Sequence, residues 1–313
     1  MESSNNSNLI SVFQLNTLAN VYATKDSFPY VSNTSLDWES RKVLFDKMFL
    51  KEENNHDIYC LEEVDEINYF KYTFKNNKIN YDNIHYDKKY IVNETKIGAK
   101  AGLSMFYNID KLKLLIDERL DFPDNTGSNG KFCICAVFKH KETGINFLVI
   151  QVHLKAKVEF EETRLMQVMH IQKTIPDLID KWNKKLNYQL DKIENINGII
   201  VAGDFNAQPN EKSINLMNEK NFFINNNIIA LNSVFDTDKN SNDFIDFTSL
   251  KLRDKLVVYI IDYIFYSDLF KVISKRRGLK SYSRDDLIKM NGLPNEFYPS
   301  DHLFLTAIFE IKN

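Results

Sequence analysis

Six short segments place acids, amides and imidazoles where apolar runs end. Asn16 closes the run Phe13–Leu15, and Glu62 and Glu63 close the run that ends Cys60–Leu61. His153 follows Ile150-Gln-Val152. Asp204 and Asn206 close Val201-Ala-Gly-Asp-Phe-Asn206. Asp262 lies inside Tyr259–Phe265, and Asp301 and His302 follow Tyr298-Pro-Ser300. A bare carboxylate at a buried strand end is expensive unless it is paired or metal-bound. Taken singly, each of these residues has an ordinary explanation as a turn cap, an ion pair or a satisfied core histidine. As a set, carboxylate and amide oxygens suit a hard cation such as Mg2+, with Mn2+ as a substitute, that keeps waters for a substrate phosphate. Two histidines and the remaining carboxylates can then manage phosphate charge and protons. Zinc would favour Cys ligands or closely spaced His pairs, and the sequence has neither pattern.

The elements that must hold these residues are strands rich in β-branched and aromatic side chains. They are expected at Leu9–Leu15, Asp57–Val64, Gly102–Tyr107, Phe132–Phe138, Asn146–Leu154, Gly198–Phe205, Val257–Tyr266 and Leu303–Ile311. Many are continuous in apolar residues, as strands covered on both faces should be. Between them, Leu36–Leu50, Glu161–Leu186 and Asn210–Phe223 space apolar residues at three and four, the helical period. Their stripes read as core packing, and Pro176 is expected to kink or restart the long one. Strands mixed with helices throughout argue for one layered domain in which helices cover packed sheets. Asn225–Asn227 and Asp238–Asn242 read as surface loops. Arg276 and Arg277, away from any motif, read as surface charge.

The chain has 313 residues, of which 43% are hydrophobic and 27% charged. This balance excludes a wholly disordered, collagen-like or coiled-coil chain. With 43 acids against 40 bases the net charge is −3, so a surface-wide basic binder of nucleic acid is excluded too. Any anionic ligand must be met by a local cluster of cations. Cys60, Cys133 and Cys135 give no disulfide framework and read as buried, reduced thiols that fit the cytosol. The opening Met1–Leu9 has neither the basic start nor the apolar stretch of a signal peptide, and no run approaches the length of a membrane span. The expectation is a cytoplasmic protein with no membrane contact, with residues 1–8 a disordered tail and residues 9–313 a single domain. No partner protein can be inferred.

In order along the chain, QLNTLA, LEEV, QVHLKAK, GDFNAQP, IDYIFYS and YPSDH resemble the motif series of the endonuclease/exonuclease/phosphatase superfamily, over residues 10 to 310. LDWESRK and NGLPNEFYPSDH narrow the resemblance to its deadenylase-like branch. The HLKA segment at His153–Ala156 and the Phe247–Arg253 stretch are most similar to the nocturnin-like group. Glu62, Val152 and Leu250 depart from the usual pattern, where Gln, Thr and Trp stand. The resemblance implies a four-layer α/β sandwich, two packed mixed β-sheets flanked by helices, with the site at a sheet edge. It implies that Glu63 binds Mg2+ with help from Asn16, and that Asp301 supports the metal region. Asp204 would position or deprotonate the attacking water, while Asn206 and His153 hold phosphoryl oxygens. Asp262 would orient His302. Lys155, Lys157, Lys251 and Arg253 would form a cationic phosphate pocket, the arginine offering bidentate contact.

The implied activity is metal-dependent removal of the 2′-phosphate of NADP+ or NADPH. The alternative is 3′→5′ exoribonuclease action on a poly(A) 3′ end. It is disfavoured by the slightly acidic charge and the lack of a leucine-rich segment in these 313 residues. A third reading, an inactive RNA-binding adaptor, is disfavoured because every motif keeps its reactive residue.

Overall fold

A computed structural model describes residues 8–51, 55–88, 91–92, 96–97, 101–123, 127–128, 130–190, 195–219, 222–224, 227–235, 246–252, 255–279, 284–290 and 292–312. The first strands are β1 (Leu9–Asn16), β2 (Ile58–Val64), β3 (Tyr81–Tyr86), β4 (Ile91–Val92) and β5 (Lys96–Ile97). Next come β6 (Gly102–Asn108), β7 (Leu112–Asp121), β8 (Phe132–His140), β9 (Asn146–His153) and β10 (Ile196–Asp204). The last third adds β11 (Phe222–Ile224), β12 (Asn227–Ile229), β13 (Leu231–Ser233), β14 (Ser249–Leu252), β15 (Leu256–Tyr259), β16 (Asp262–Ser267), β17 (Phe270–Arg277) and β18 (Leu305–Ile311). The helices are α1 (Asn33–Leu36), α2 (Trp38–Phe49), α3 (Ile67–Lys75), α4 (Glu161–Leu190), α5 (Lys212–Asn218) and α6 (Arg284–Lys289).

Two six-stranded mixed sheets carry the fold. One has the order β17-β18-β1-β2-β6-β3, the other β13-β16-β10-β9-β8-β7. Ile10, Val12, Ile58, Ile134, Val149, Ile200 and Ile264 pack between them in one apolar seam. The outer face of the second sheet is covered by α4 and α5, through Val168, Ile171, Ile175, Trp182 and Ile214. Phe45 and Phe49 of α2 and Phe70 and Phe74 of α3 cover the first. This is the expected four-layer sandwich. Burying both faces of a strand explains the continuous apolar runs. All three cysteines are free and buried, Cys60 in the seam and Cys133 and Cys135 under α4. Among the described residues no helix is long and apolar enough to cross a membrane.

Several elements differ from the reading of the sequence, each for a local reason. The expected strand Val257–Tyr266 is two strands: β15 pairs with β14, and β16 joins the large sheet. Between them the Thr248 hydroxyl accepts the N–H groups of Ile261 and Asp262, at 2.9 and 3.1 Å, and so takes two donors from the ladder. The helix expected from Leu36 begins at Trp38, because the Asp37 side chain caps it by accepting the Ser40 N–H. The long helix runs to Leu190 through Pro176 rather than restarting there. The third expected helix covers only Lys212–Asn218, and Phe222–Ile224 is a strand. Asn227 opens β12, while residues 225–226 and 238–242 lie outside the described ones. Arg277 is no free surface charge: it lies in β17, 2.7 Å from Asp246, and Arg276 stands over the Phe304 ring. Of the expected tail, residues 1–7 lie outside the described residues, and the Asn8 amide donates to the Ile311 carbonyl.

Candidate active site

Strand direction brings the motif residues to one edge. β1 and β2 run parallel and end together, with Asn16 opposite Glu62. β9 and β10 also run parallel, with His153 opposite Asp204. β16 runs antiparallel to β10, so its first residue, Asp262, faces Asp204. β18 runs antiparallel to β1, and Asp301 and His302 enter it at the same edge. Gly203 makes the tight pairing possible. Its φ is +148°, and a Cβ there would sit 2.0 Å from the Val152 carbonyl oxygen.

Backbone irregularities aim the side chains. β2 slips register against β6 between Glu62 and Val64, and the extra residue, Glu63, has φ +56°. Such a bulge turns one side chain away from the alternation of its strand. Leu18, Lys157 and Asn206 also hold positive φ, at 55°, 78° and 51°. All four positions border the site, where backbone strain tends to collect.

Asp204 is the hub. One of its oxygens accepts from the Asn16 amide at 3.0 Å and the Asn206 amide at 3.1 Å; the other accepts the Asn206 N–H at 2.7 Å. His153 Nε2 and His302 Nε2 lie 3.5 and 3.9 Å from the first oxygen. Burial pushes the Asp204 carboxyl up to about 6; His302 opposes the shift and Asp262 adds to it. His302 Nδ1 is 2.9 Å from Asp262 Oδ2. A carboxylate can only accept, so Nδ1 carries the proton. Burial works against a charged imidazole at His302, but Asp262, Asp301 and Asp204 outweigh it and raise its pKa to about 10. His153 goes the other way: burial, then the charges of Lys131, Lys88 and His302, hold it well below the usual range. The two imidazoles thus differ in charge at neutral pH.

Among the described residues, Asp204, Asp262 and His302 offer ligand atoms within 4.8 Å of one another, a group that could hold a metal ion. Asp262 and His302 already satisfy each other, however. Glu63 offers more room: Oε2 accepts the Ala19 N–H at 3.1 Å, and Oε1, 3.7 Å from His153, receives no hydrogen bond among the described residues. An oxygen-rich, carboxylate-heavy donor set fits a hard divalent cation. Asn16 spends its amide oxygen on the Leu18 N–H and its amide N–H on Asp204. Asp301 lies 2.6 Å from Lys251, whose side chain is 27% exposed.

The expected cations are not equivalent. Lys251 is held by Asp301, with its ammonium 5.8 Å from the Phe28 ring centre. Lys155 sits over the Phe160 ring at 4.6 Å, and Lys157 is exposed. Arg253 lies outside the described residues. Asn206 spends its amide on Asp204 and on the Leu154 carbonyl.

Reasoning from sequence passed over four supports. Gln14 donates to Glu62 at 2.8 Å and to Asp262 at 3.0 Å. Gln151 donates to Glu62 at 2.9 Å. Glu62 is thereby wholly buried in the seam, away from Glu63, and burial raises its pKa strongly. Both glutamines interrupt apolar runs, the same signal that marked Asn16 and His153. Arg41, in LDWESRK, donates to the carbonyls of Pro299, Thr17 and Leu18 and clamps two site loops together. Arg164 pairs with Glu211 at 2.8 Å and donates to the carbonyls of Lys155 and Lys157.

Two stacked mixed sheets whose strand ends gather buried acids, amides and imidazoles make up the candidate site. The model of the Endonuclease/Exonuclease/phosphatase family matches residues 14–302, and the chain belongs to that family. Over 335 residues it is 25% identical to the CCR4-Not complex 3′-5′-exoribonuclease subunit Ccr4 of Kluyveromyces lactis, covering 97% of this chain and 41% of that one. The chain spans about half the length of the curated relatives it matches. Among solved structures it resembles ANGEL2, a 2′,3′-cyclic phosphatase, in complex with adenosine-2′,3′-vanadate (TM-score 0.76, 19% identity, 97% of this chain and 96% of that one). It also resembles the human Nocturnin catalytic domain with bound sulfate (TM-score 0.65, 24% identity, 97% and 94%).

Proposed function

We propose that this chain hydrolyses a phosphate ester of an adenosine nucleotide, with the 2′-phosphate of NADP(H) as substrate and Mg2+ as cofactor, in the cytoplasm. The observation that carries the reaction class is the Asp204 carboxylate, held by Asn16 and Asn206 with both imidazoles within 4 Å. Glu63 would hold the cation, with Asn16 and Asp301 in support; when bound, it supplies Lewis acidity toward phosphoryl oxygens. Asp204 orients water and accepts its proton. His302, kept cationic by Asp262, stabilises charge on the phosphoryl group. His153, kept neutral, donates a hydrogen bond to a phosphoryl oxygen, and Asn206, through its bonds to Asp204 and the Leu154 carbonyl, holds the same wall in place. Lys155, Lys157 and Arg253 would meet the remaining phosphates. Lys251 acts through Asp301.

The NADP(H) reading is supported by the HLKA segment, through its resemblance to the nocturnin-like group. A second reading, 3′→5′ shortening of a poly(A) end, is favoured by the Ccr4 relatives, which align with 97% of this chain. One preparation decides between them: phosphate release from NADPH in Mg2+, run beside oligo(A) shortening at several salt concentrations. Lys157→Ala should raise KM for NADPH by roughly tenfold or more, the worth of one charged hydrogen bond. Contacts spread along RNA would make the same change mild, with a steep salt dependence. Efficient oligo(A) shortening with NADPH untouched would overturn the NADP(H) reading.

A further inference from the structure

One cation at this site belongs to none of the motifs. Lys131 closes the turn that leads into β8. That strand begins at the sheet edge where β9 ends on His153, and one step inward Cys133 pairs with Val152. The turn is fixed by its backbone: the Lys131 N–H donates to the Ser128 carbonyl at 3.2 Å, and the Phe122 N–H to the Lys131 carbonyl at 3.1 Å. Gln167 of α4 then ties this turn to the exit of β9. Its amide donates to the Ser128 hydroxyl at 3.0 Å, and its amide oxygen accepts the Lys155 N–H at 3.0 Å. Gln167 is fully buried. A single side chain thus fixes the spacing between the backbones that carry Lys131 and Lys155.

Lys131 itself is 7% exposed, and among the described residues no carboxylate lies within ion-pair distance of it. A buried ammonium without a counter-ion is costly, and proteins normally pair it or expose it. Here the carboxylates that attract it are Asp204 and Glu63, while Lys88 and Lys155 repel it. His153 registers the charge of Lys131 ahead of that of any other cation. Burial, with Lys88 adding to it, brings the ammonium down to about 7. The ordinary alternative is a lysine buried for packing. Packing needs no charged head, and a nearly buried ammonium at the edge where β9 ends on His153 is a poor packing solution.

We propose that Lys131 is a substrate-binding residue that takes a non-bridging oxygen of the scissile phosphoryl group. The inference rests on the site being that of a phosphate-ester hydrolase, and it assigns to the substrate the counter-ion that Lys131 lacks among the described residues.

The test uses the full chain loaded with Mg2+ and inorganic phosphate as the probe. Lys131→Ala, Lys131→Met and Lys131→Arg are compared with wild type and with Lys113→Ala, an exposed lysine on β7. Phosphate binding by calorimetry should weaken roughly tenfold to a hundredfold in the Ala and Met variants, less in Arg, and not at all in Lys113→Ala. The melting temperature of Lys131→Met without phosphate should equal or exceed that of wild type, since an unpaired buried charge is removed while its methylenes are kept. A purely structural lysine would instead lower the melting temperature and leave phosphate affinity unchanged. The proposal is overturned if the folded variants bind phosphate as tightly as wild type, or if wild type binds none. Lys131-dependent phosphate binding without hydrolysis of any ester would sink the hydrolase reading and leave this assignment standing. Hydrolysis that is indifferent to Lys131 would do the reverse.

Discussion

Asp262 belongs to the second sheet and His302 leads into the first, yet Oδ2 of one lies 2.9 Å from Nδ1 of the other. Asp262 opens β16 of the second sheet, and His302 enters β18 of the first. The pair is therefore both a proton-holding dyad and a tie across the sandwich. Gln14 adds a further amide to the same carboxylate.

If the dyad serves the transition state, Asp262→Asn should lower kcat by roughly a hundredfold or more with little change in KM. The amide cannot hold the imidazolium, so the activity lost should follow the charge of His302. Steady-state kinetics in Mg2+ check this. Equal kcat in the variant would reduce Asp262 to a structural tie.

Lys251→Ala should destabilise the protein by about 3 kcal/mol at neutral pH, because it leaves Asp301 buried without its 2.6 Å partner and with only His302, at 3.8 Å, as counter-charge. In wild type, burial would raise the Asp301 pKa, but Lys251 and then His302 overcome this and lower it. Its contribution to stability is therefore present above the ordinary carboxylate range and is lost as pH falls through the depressed value. In the variant, burial dominates and the sign reverses. The difference in melting temperature between the two proteins should shrink as pH falls from 7 toward 3. A constant difference across that range would rule out the ion pair as its cause.

Glu63→Gln should cost at least a thousandfold in metal-dependent turnover while leaving the fold intact, since a metal-binding oxygen and its charge are lost. Chelation of wild type should give the same loss, and restored Mg2+ or Mn2+ should rescue wild type only. Near-normal turnover of the variant in Mg2+ would place the cation elsewhere, with the Asp204, Asp262 and His302 group next to be tested.

Gly203→Ala should be among the most damaging single changes, by several kcal/mol. It adds a Cβ against the Val152 carbonyl at a φ that side chains rarely adopt. Soluble yield and thermal melting check this, and a variant that melts with wild type would mean that β9 and β10 can separate at no cost.

The sequence revealed the strand ends well, because a polar residue after an apolar run is a local signal. It revealed much less of which way each side chain turns. Glu62 and Glu63 are adjacent letters of one type, yet a single-residue slip against β6 sends the first into the seam and turns the second toward His153. The pairing of Lys251 with Asp301 joins residues fifty apart, and nothing local to either predicts it. β7 was missed because Asp117, Glu118 and Arg119 break its apolar pattern, as suits a strand at the edge of its sheet. Arg253 lies outside the described residues, so its expected place in the phosphate pocket stands as a proposal.

Among the described residues, five hydrogen bonds cross between the layers at the site: Gln14 to Asp262, Asn16 to Asp204, Gln151 to Glu62 and to the Leu61 carbonyl, and His302 to Asp262. Each layer supplies half of the reacting groups, so their alignment is set by how the layers seat on one another. Ile134, Val149 and Ile200, well inside the seam, act as an alignment jig for chemistry they never touch. Trimming one of them lets one layer settle against the other, and a shift of about 1 Å at reacting atoms can cost a hundredfold in rate. Turnover in this protein should therefore fail at smaller core perturbations than folding does, making the apolar interior part of its catalytic tolerance.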